Sequence, residues 1–324
     1  MPIKKSSFKP AWGLSNPHLQ TLWATLFRST PDIDLNNHRL ELDDGDFLDL
    51  VITPLKNKPI VIIMHGLEGS LDSPYVKPLI KRLDENGYGV CFMHFRGCSE
   101  ELNRLPRSYH SGDSYDLASV IKYIQETYQQ KIFSIIGFSL GGNVLLKWLG
   151  EQGRNASTTS AVAVSVPFQL SHAGDRLEKS FSRIYQKHLL SRCQNKYQKK
   201  FSSKPSPLDI NVRKLNTFYT FDDQITAPLH GFEGADDYYE QCSSRQFLKH
   251  IQKPTLVIHS KDDPFMWEHT VPNEEELSEA VELELSESGG HVGFVSGNHP
   301  FNVEYWVDKR IVEWLNTIRD DNKK

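Results

Sequence analysis

The sequence is poor in cysteine and has no long apolar run. Its 324 residues include only four cysteines, which are scattered and form no C-x-x-C pair: Cys91, Cys98, Cys193 and Cys242. This spacing excludes a disulfide framework, and it predicts reduced thiols and a cytoplasmic location. No apolar run approaches the ~18 residues that a transmembrane helix needs. The N-terminal residues also lack the apolar core of a signal peptide.

An excess of charge of one sign is also lacking. There are 37 Lys and Arg against 41 Asp and Glu, for a net charge of −4. Without a basic excess, nucleic-acid binding has no electrostatic support. The segment Gly141-Gly142-Asn143 lacks the Lys-Ser/Thr of a phosphate loop, and no cluster of residues has the spacing of a metal site. We therefore expect no nucleic-acid partner, no cofactor and no metal.

Short apolar runs alternate along the chain with stretches of helical periodicity. The runs that are apolar without polar alternation are typical of strands buried on both faces of a parallel sheet: 59–64, 89–95, 161–166 and 254–259. Helices are predicted at about 74–86, 113–128 and 302–318, and a hairpin around Asp44-Gly45-Asp46. The alternation predicts an α/β fold, with a mostly parallel central sheet and helices on both faces.

The composition changes between residues 168 and about 245. This stretch has few apolar runs and is locally basic, with Lys179, Arg183, Lys187, Arg192, Lys196, Lys199 and Lys200. We expect a helical cap insertion within a single domain that spans 1–324. One amphipathic helix is predicted there, with an apolar face that would form a wall of an acyl pocket: Leu177, Phe181, Ile184, Tyr185 and Leu189. Its basic residues are expected to face water, either as a solvated exterior or as a surface for peripheral contact with anionic lipid.

A short helix is also predicted near the N-terminus, where Asn16 serves as N-cap and Pro17 as the first helical residue. Its apolar residues recur on one face: Leu19, Leu22, Trp23, Leu26 and Phe27. We expect this face to pack on the core. The alternative is that it lines an acyl-binding or membrane-facing surface.

The strongest chemical signal is Gly137-Phe138-Ser139-Leu140-Gly141, which lies between a predicted strand and a predicted helix. G-x-S-x-G in this context is a nucleophile elbow, in which a sharp turn exposes the serine hydroxyl at the edge of a sheet. Ser139 is therefore the predicted nucleophile. The N–H of Leu140, at the start of the helix, is the first predicted oxyanion donor.

A serine hydroxyl needs a base to take its proton and an acid to orient that base. In this arrangement the acid and then the histidine follow the serine, each after a strand. Asp263, with a proline directly after it, is the predicted acid; Asp262 is the alternative. His291, in a glycine-rich loop after a predicted strand at 281–285, is the predicted base, and His299 is the runner-up.

The second oxyanion donor should come from the loop after the strand at 59–64. That loop is His65-Gly66-Leu67-Glu68-Gly69-Ser70, and the N–H of Leu67 is the candidate. His65 is interpreted as a residue that shapes the loop rather than as a proton carrier.

Together the motifs resemble those of family 4 of the α/β-hydrolase superfamily: Asn16-Pro17-His18-Leu19-Gln20-Thr21, His65-Gly66-Leu67-Glu68-Gly69-Ser70, His94-Phe95-Arg96-Gly97-Cys98-Ser99, Tyr109-His110-Ser111-Gly112, Gly137-Phe138-Ser139-Leu140-Gly141-Gly142, Phe221-Asp222-Asp223, Asp262-Asp263-Pro264-Phe265 and His291-Val292-Gly293-Phe294. That family includes bacterial esterases and the animal abhydrolase domain-containing proteins 1 and 3. The resemblance covers about residues 12 to 315. It implies an α/β-hydrolase fold and hydrolysis of carboxylic esters by Ser139, Asp263 and His291.

The expected function is that of a serine carboxylic ester hydrolase, which acts through an acyl-enzyme on small-molecule or lipid esters with short or medium acyl chains. Acyl transfer or peptide cleavage on the same scaffold is one alternative, since a fold does not fix a reaction. A binding protein without catalysis is another. The complete set of serine, acid and histidine argues against the binding protein.

Overall fold

The computed structural model describes residues 2–55, 57–299 and 302–322. Within them, nine strands form the main sheet: β1 (Ile3–Lys5), β2 (Asn36–Glu41), β3 (Phe47–Ile52), β4 (Ile60–Met64), β5 (Gly89–Met93), β6 (Ile132–Phe138), β7 (Thr158–Val164), β8 (Thr255–Ser260) and β9 (Val281–Ser286). Their order is β1-β9-β8-β7-β6-β4-β5-β3-β2. Only β3 pairs antiparallel, with β2 and with β5, and the other neighbours are parallel. A separate antiparallel ribbon joins β10 (Val295–His299) to β11 (Asn302–Tyr305).

The α-helices of the described residues are α1 (Pro17–Phe27), α2 (Val76–Glu85), α3 (Ser114–Tyr128), α4 (Leu140–Gln152), α5 (Leu170–Leu177), α6 (Ser182–Lys200), α7 (Phe218–Phe221), α8 (Ala227–His230), α9 (Ala235–Cys242) and α10 (Trp306–Asp321). Side chains of α3 and α4 pack on one face of the sheet, and side chains of α2 and α10 on the other. This confirms the predicted α/β fold with helices on both faces.

Strand β4 shows why the central strands are apolar throughout. Ile60 and Ile62 point into the layer with α3 and α4, whereas Val61 and Ile63 point into the layer with α2 and α10. Successive side chains of a strand face opposite sides, so a strand covered on both sides has no solvent-facing position. Each of these aliphatic side chains is fully buried, which contributes about 1.5–3 kcal/mol per residue.

The segment 165–254, between β7 and β8, contains helices and no strand, and all of its residues are described. We call this segment the cap and the remaining described chain the body. The cap has an apolar cluster of its own, which includes Leu177, Tyr185, Leu190, Phe218 and Phe221. No helix among the described residues is long and apolar enough to cross a bilayer.

Two predictions for the cap are wrong. Leu177 to Leu189 is not one helix, because Leu177 ends α5 and α6 begins at Ser182. Ile184, expected on an inward face, is 57% exposed. The second error concerns charge: Lys196 and Lys200 do not face water, since each donates hydrogen bonds into the body.

Helix α1 lies where it was predicted, and Leu22 and Trp23 of the predicted apolar face pack against buried clusters, but the rest of that face does not. Its buried residues are Gln20 and Ala24, while Leu26 and Phe27 are 66% and 65% exposed. The side chain of Gln20 can be buried because it forms hydrogen bonds with backbone groups of two other segments, at Leu14 and at Val295. It donates to Leu14 O at 2.7 Å and to Val295 O at 3.0 Å, and it accepts from Val295 N at 2.6 Å.

Candidate active site

Ser139 lies in the turn between β6 and α4 and has a φ of +51°. Residues other than glycine rarely adopt a positive φ. Such backbone strain persists only where the surrounding structure holds the residue in place. The flanking glycines are required by close contact. A Cβ at Gly137 would lie 2.4 Å from Gly141 O, and a Cβ at Gly141 would lie 2.6 Å from His65 O. Glycine is therefore required on both sides of the serine, at the spacing of G-x-S-x-G, because a larger residue would clash with the backbone of this turn.

One chain of hydrogen bonds joins Ser139, His291 and Asp263. His291 Nε2 lies 3.0 Å from Ser139 Oγ, and His291 Nδ1 lies 2.9 Å from Asp263 Oδ2. Asp263 is 3% exposed, and its Oδ1 accepts from Phe265 N at 2.8 Å. The Phe265 ring stacks on His291 with centroids 4.0 Å apart and planes 4° from parallel. The three residues expected from the sequence thus form one contact chain.

The two alternatives from the sequence lie elsewhere in the site or fold. Asp262 Oδ1 accepts from Gly290 N at 2.9 Å, so this carboxylate holds the loop that carries His291. His299 lies on the β10 ribbon. The geometry accordingly places Asp263, rather than Asp262, against the imidazole.

The loop of His291 is held by side chains that the sequence analysis assigned no role. His291 N donates to Thr21 Oγ1 of α1 at 2.9 Å, and Val292 N donates to Ser165 Oγ at 3.0 Å. Ser260 Oγ donates to Gly290 O at 2.8 Å. The motif Asn16-Pro17-His18-Leu19-Gln20-Thr21 was the one signal for Thr21, and these contacts give that motif a physical function.

The loop after β4 lies directly against the nucleophile. A Cβ at Gly66 would be 3.2 Å from Ser139 Cβ. Among the described residues, no loop or turn carbonyl accepts a hydrogen bond from the N–H of Leu67 or of Leu140. Both residues line the cavity above Ser139. Two N–H donors beside a serine are the arrangement that an oxyanion hole needs.

His65 shapes this loop from below. It is completely buried, and burial lowers its pKa to about 3, so the imidazole is neutral at pH 7. Its Nδ1 lies 2.6 Å from Gly66 O, and its Nε2 accepts from Phe95 N at 3.2 Å. A neutral ring with one donor and one acceptor satisfies both contacts.

A cavity opens above Ser139 between the body and the cap, with an empty volume of about 1230 Å³ including its open mouth. Its lining is mostly apolar and includes Leu67 and Leu140 from the body, and Leu170, Leu177, Leu189, Phe218, Phe221, Ile225 and Leu229 from the cap. Such a surface suits a hydrocarbon chain.

Asp222 is an anionic side chain within this mostly apolar wall, and the sequence analysis gave it no role. It begins a π-helical turn, Asp222–Thr226. Its carboxylate accepts from Thr226 Oγ1 at 2.6 Å and from Tyr239 OH at 2.8 Å. Burial nevertheless raises the pKa of Asp222 to about 6.

Comparison with known proteins finds relatives that match most of the chain. Residues 59–298 match the family described as alpha/beta hydrolase fold. The chain is 42% identical over 321 residues to the protein named "Putative esterase YheT" of Escherichia coli (strain K12), covering 96% of this chain and 94% of that protein. It is 27% identical over 318 residues to the human "Phospholipase ABHD3", covering 94% and 77%. Among solved structures, the Pyrococcus furiosus esterase Pf2001 aligns with a TM-score of 0.57 at 19% identity, covering 90% of this chain and 98% of that one.

Proposed function

The chain belongs to the α/β-hydrolase fold family and is a hydrolase of the esterase and lipase type, and from that premise we propose that it is a serine carboxylic ester hydrolase that works through an acyl-enzyme. The observation that carries this proposal is the contact chain from Ser139 Oγ through His291 to Asp263. It opens into a mostly apolar cavity.

The first half of the proposed reaction forms the acyl-enzyme. The Asp263 carboxylate accepts from His291 Nδ1, which leaves Nε2 free to take the Ser139 proton. Ser139 Oγ then attacks the carbonyl carbon of the ester. The N–H groups of Leu67 and Leu140 stabilise the oxyanion that forms, and such donors are worth about 10²–10³ in rate each.

The first intermediate then collapses to the acyl-enzyme, and the second half of the reaction releases the acid. His291 gives its proton to the leaving alcohol as the carbon–oxygen bond breaks, so Ser139 carries the acyl group. A water molecule then loses a proton to His291 Nε2 and attacks the acyl carbon. Collapse of this second intermediate returns the proton to Ser139 and frees a carboxylic acid.

The cap determines the substrate class in this proposal. Apolar cap side chains, among them Phe218 and Phe221, form a wall of the cavity above Ser139. We propose that this wall binds a short or medium acyl chain of a small-molecule or lipid ester. The cap insertion thereby acts as part of a single catalytic domain. The buried, unpaired cysteines support the proposal of a cytoplasmic location, because thiols remain reduced there.

The outer surface of the cap supports a proposal of peripheral contact with anionic lipid. Phe181 and Ile184 are 44% and 57% exposed, and they lie beside exposed Lys179, Arg183 and Lys187. Each basic residue near an anionic membrane contributes about 1 kcal/mol, and salt screens that attraction. Hydrolysis in anionic vesicles should therefore exceed hydrolysis in neutral vesicles at low salt, and the difference should disappear at high salt. Equal rates in all four conditions would show that this face is only solvated and does not attract anionic lipid.

The experiment that tests the proposed reaction compares wild type with Ser139→Ala on p-nitrophenyl esters of increasing chain length and on glycerolipids. Removing the nucleophile of a triad costs about 10⁶ in kcat, so turnover should fall to background while the thermal transition is kept. Added alcohol should change the product from free acid to ester only if acyl transfer competes with water. Unchanged turnover in Ser139→Ala would refute the assignment.

A further inference from the structure

A buried polar cluster joins the cap to the oxyanion loop, and no step of the proposed reaction uses it. Lys196 of α6 donates through Nζ to Glu68 Oε1 at 2.6 Å and to Cys98 Sγ at 2.9 Å. Tyr109 OH donates to the same Glu68 oxygen at 2.8 Å. The side chains of Lys196 and Glu68 are only 15% and 7% exposed. We call Lys196, Glu68, Tyr109 and Cys98 the clasp.

The charges of the clasp are those of an ion pair. Burial by itself lowers the pKa of Lys196, but Cys98 and Glu68 beside the ammonium raise it by more, and the net shift is upward. Burial raises the pKa of the Cys98 thiol to about 11, so the thiol is neutral at pH 7, and the ion pair is the one between Lys196 and Glu68. Desolvation offsets much of the attraction in a buried pair, and such a pair contributes little to net stability. Its value lies in the geometry that it fixes.

The geometry fixed here is that of the peptide groups around Leu67. Glu68 has a φ of +54°, in the left-handed region, and this conformation needs neighbours that hold it. Gly66 N donates to Tyr75 OH at 3.1 Å, and Glu68 N donates to Tyr109 OH at 2.8 Å. The N–H groups on both sides of Leu67 are thus bound by tyrosine oxygens, whereas the N–H of Leu67, which lines the cavity, makes no loop or turn hydrogen bond among the described residues.

We propose that Lys196 is a positioning residue for the oxyanion hole: by holding Glu68, the cap aims the Leu67 N–H at the substrate carbonyl on Ser139. This inference rests on the proposed function, since it assigns a role within the same reaction. It makes the hole depend on a residue that lies 128 positions along the chain from Glu68. Catalysis would therefore also depend on the position of the cap relative to the body.

The same helix provides a matched comparison. Lys200 lies one turn further along α6 and is 6% exposed. Its Nζ donates to Asn103 Oδ1 and to Arg107 O, each at 2.6 Å. Lys200 therefore also ties the cap to the body, but through a different loop. Lys199, between them, is exposed and serves as the neutral control.

The test compares Lys196→Met, Lys196→Arg, Lys200→Met and Lys199→Met for kcat and KM on a p-nitrophenyl ester and for affinity toward a trifluoromethyl ketone. Ser139 adds to the ketone and forms a tetrahedral oxyanion. The affinity for the ketone therefore reports how well the oxyanion hole stabilises that negative charge. Loss of a full donor costs about 10²–10³, and a misaimed donor should cost Lys196→Met about 10–100-fold in both kcat and ketone affinity. KM should change by less than about twofold, because ground-state binding is kept. Lys196→Arg should restore part of the loss.

Lys200→Met should lower the thermal transition while ketone affinity stays within about twofold of wild type, and Lys199→Met should change neither. Equal losses of ketone affinity in Lys196→Met and Lys200→Met would overturn the inference and leave Lys196 as an ordinary cap anchor. Glu68→Gln covers the case in which Lys196→Met does not fold, and it should reproduce the same pattern; normal ketone affinity in Glu68→Gln would also overturn the inference. If wild type turns the ester over and Ser139→Ala does not, the proposed function survives either result. A wild type without turnover overturns both.

Discussion

The body and the cap position their functional groups by different means. In the body, Ser139, Asp263 and His291 each follow the carboxyl end of a parallel strand, namely β6, β8 and β9. The cap has no strand among its described residues, and it forms a helical wall with its own apolar cluster. The sheet fixes the relative positions of Ser139, Asp263 and His291, while the cap shapes the cavity above Ser139. We infer that the body determines the reaction and the cap determines the substrate, with the clasp as the link between them.

Body variants should lower the rate for every ester alike, and Asp263→Asn is expected to have the largest effect among the orienting residues. An amide in this place favours the wrong imidazole tautomer, which costs about 10⁴ in kcat in a well-studied triad. The control is Asp262→Asn, because an amide oxygen can still accept from Gly290 N and the loss should stay below about tenfold. Values of kcat across the ester panel measure both. A larger loss in Asp262→Asn would show that the acid has been assigned to the wrong neighbour.

A cap variant should change preference rather than chemistry. Phe221 is 9% exposed and lines the cavity, so Phe221→Ala should move the optimum of kcat/KM toward longer acyl chains. Each methylene in such a pocket is worth about 10-fold or more, and the acetyl ester should be nearly unaffected. Phe232→Ala is the matched control, since Phe232 packs in a different cap cluster. An equal loss for every chain length would break the division between body and cap.

The smallest effect expected is a pH dependence of stability from Asp222. Its pKa is raised from 3.8 to about 6 by burial, so the folded protein keeps a proton that the unfolded chain has lost. The stabilisation is complete below pH 3.8 and is lost as the pH rises through about 6. Thermal melting from pH 4 to pH 7 should show wild type losing stability relative to Asp222→Asn. Asp209→Asn, on the exposed cap surface, should track wild type, and a constant difference for Asp222→Asn would contradict the account.

The body could be predicted from the sequence because its rules are local. Strands buried on both faces leave continuous apolar runs such as 60–64, and the elbow needs glycine at Gly137 and Gly141 for steric reasons. The chain order of Ser139, Asp263 and His291 then selects residues at strand ends. The contacts of all three agree with that order.

The cap resisted prediction because its contacts are distant in sequence. Apolar residues from Leu177 to Leu189 fit helical spacing, but spacing does not reveal that the chain turns between α5 and α6. Lys196 and Lys200 were predicted to face solvent because their partners, Glu68 and Asn103, lie 128 and 97 residues away in the sequence. A long lysine side chain can bury its stem and still reach such a partner.

Helix α1 shows the same limit inside the body. Its apolar periodicity predicted the helix correctly, and Leu22 and Trp23 do pack. The helix is nevertheless tied to the body by two polar side chains, Gln20 and Thr21. A polar side chain that binds loop backbone looks the same in sequence as one that faces water. Only the fold shows that Gln20 and Thr21 hold the segment of His291 and Val295.

The proposed role of Ser139 as the nucleophile of a serine hydrolase is tested most directly by peptide mapping after reaction with a fluorophosphonate. We expect a single phosphonyl adduct, on the peptide that contains Ser139. We expect no adduct in Ser139→Ala and much slower labelling in Asp263→Asn, because His291 then lacks its orienting acid. An adduct on another residue, or labelling that persists in Ser139→Ala, would contradict the assignment of Ser139 as the nucleophile.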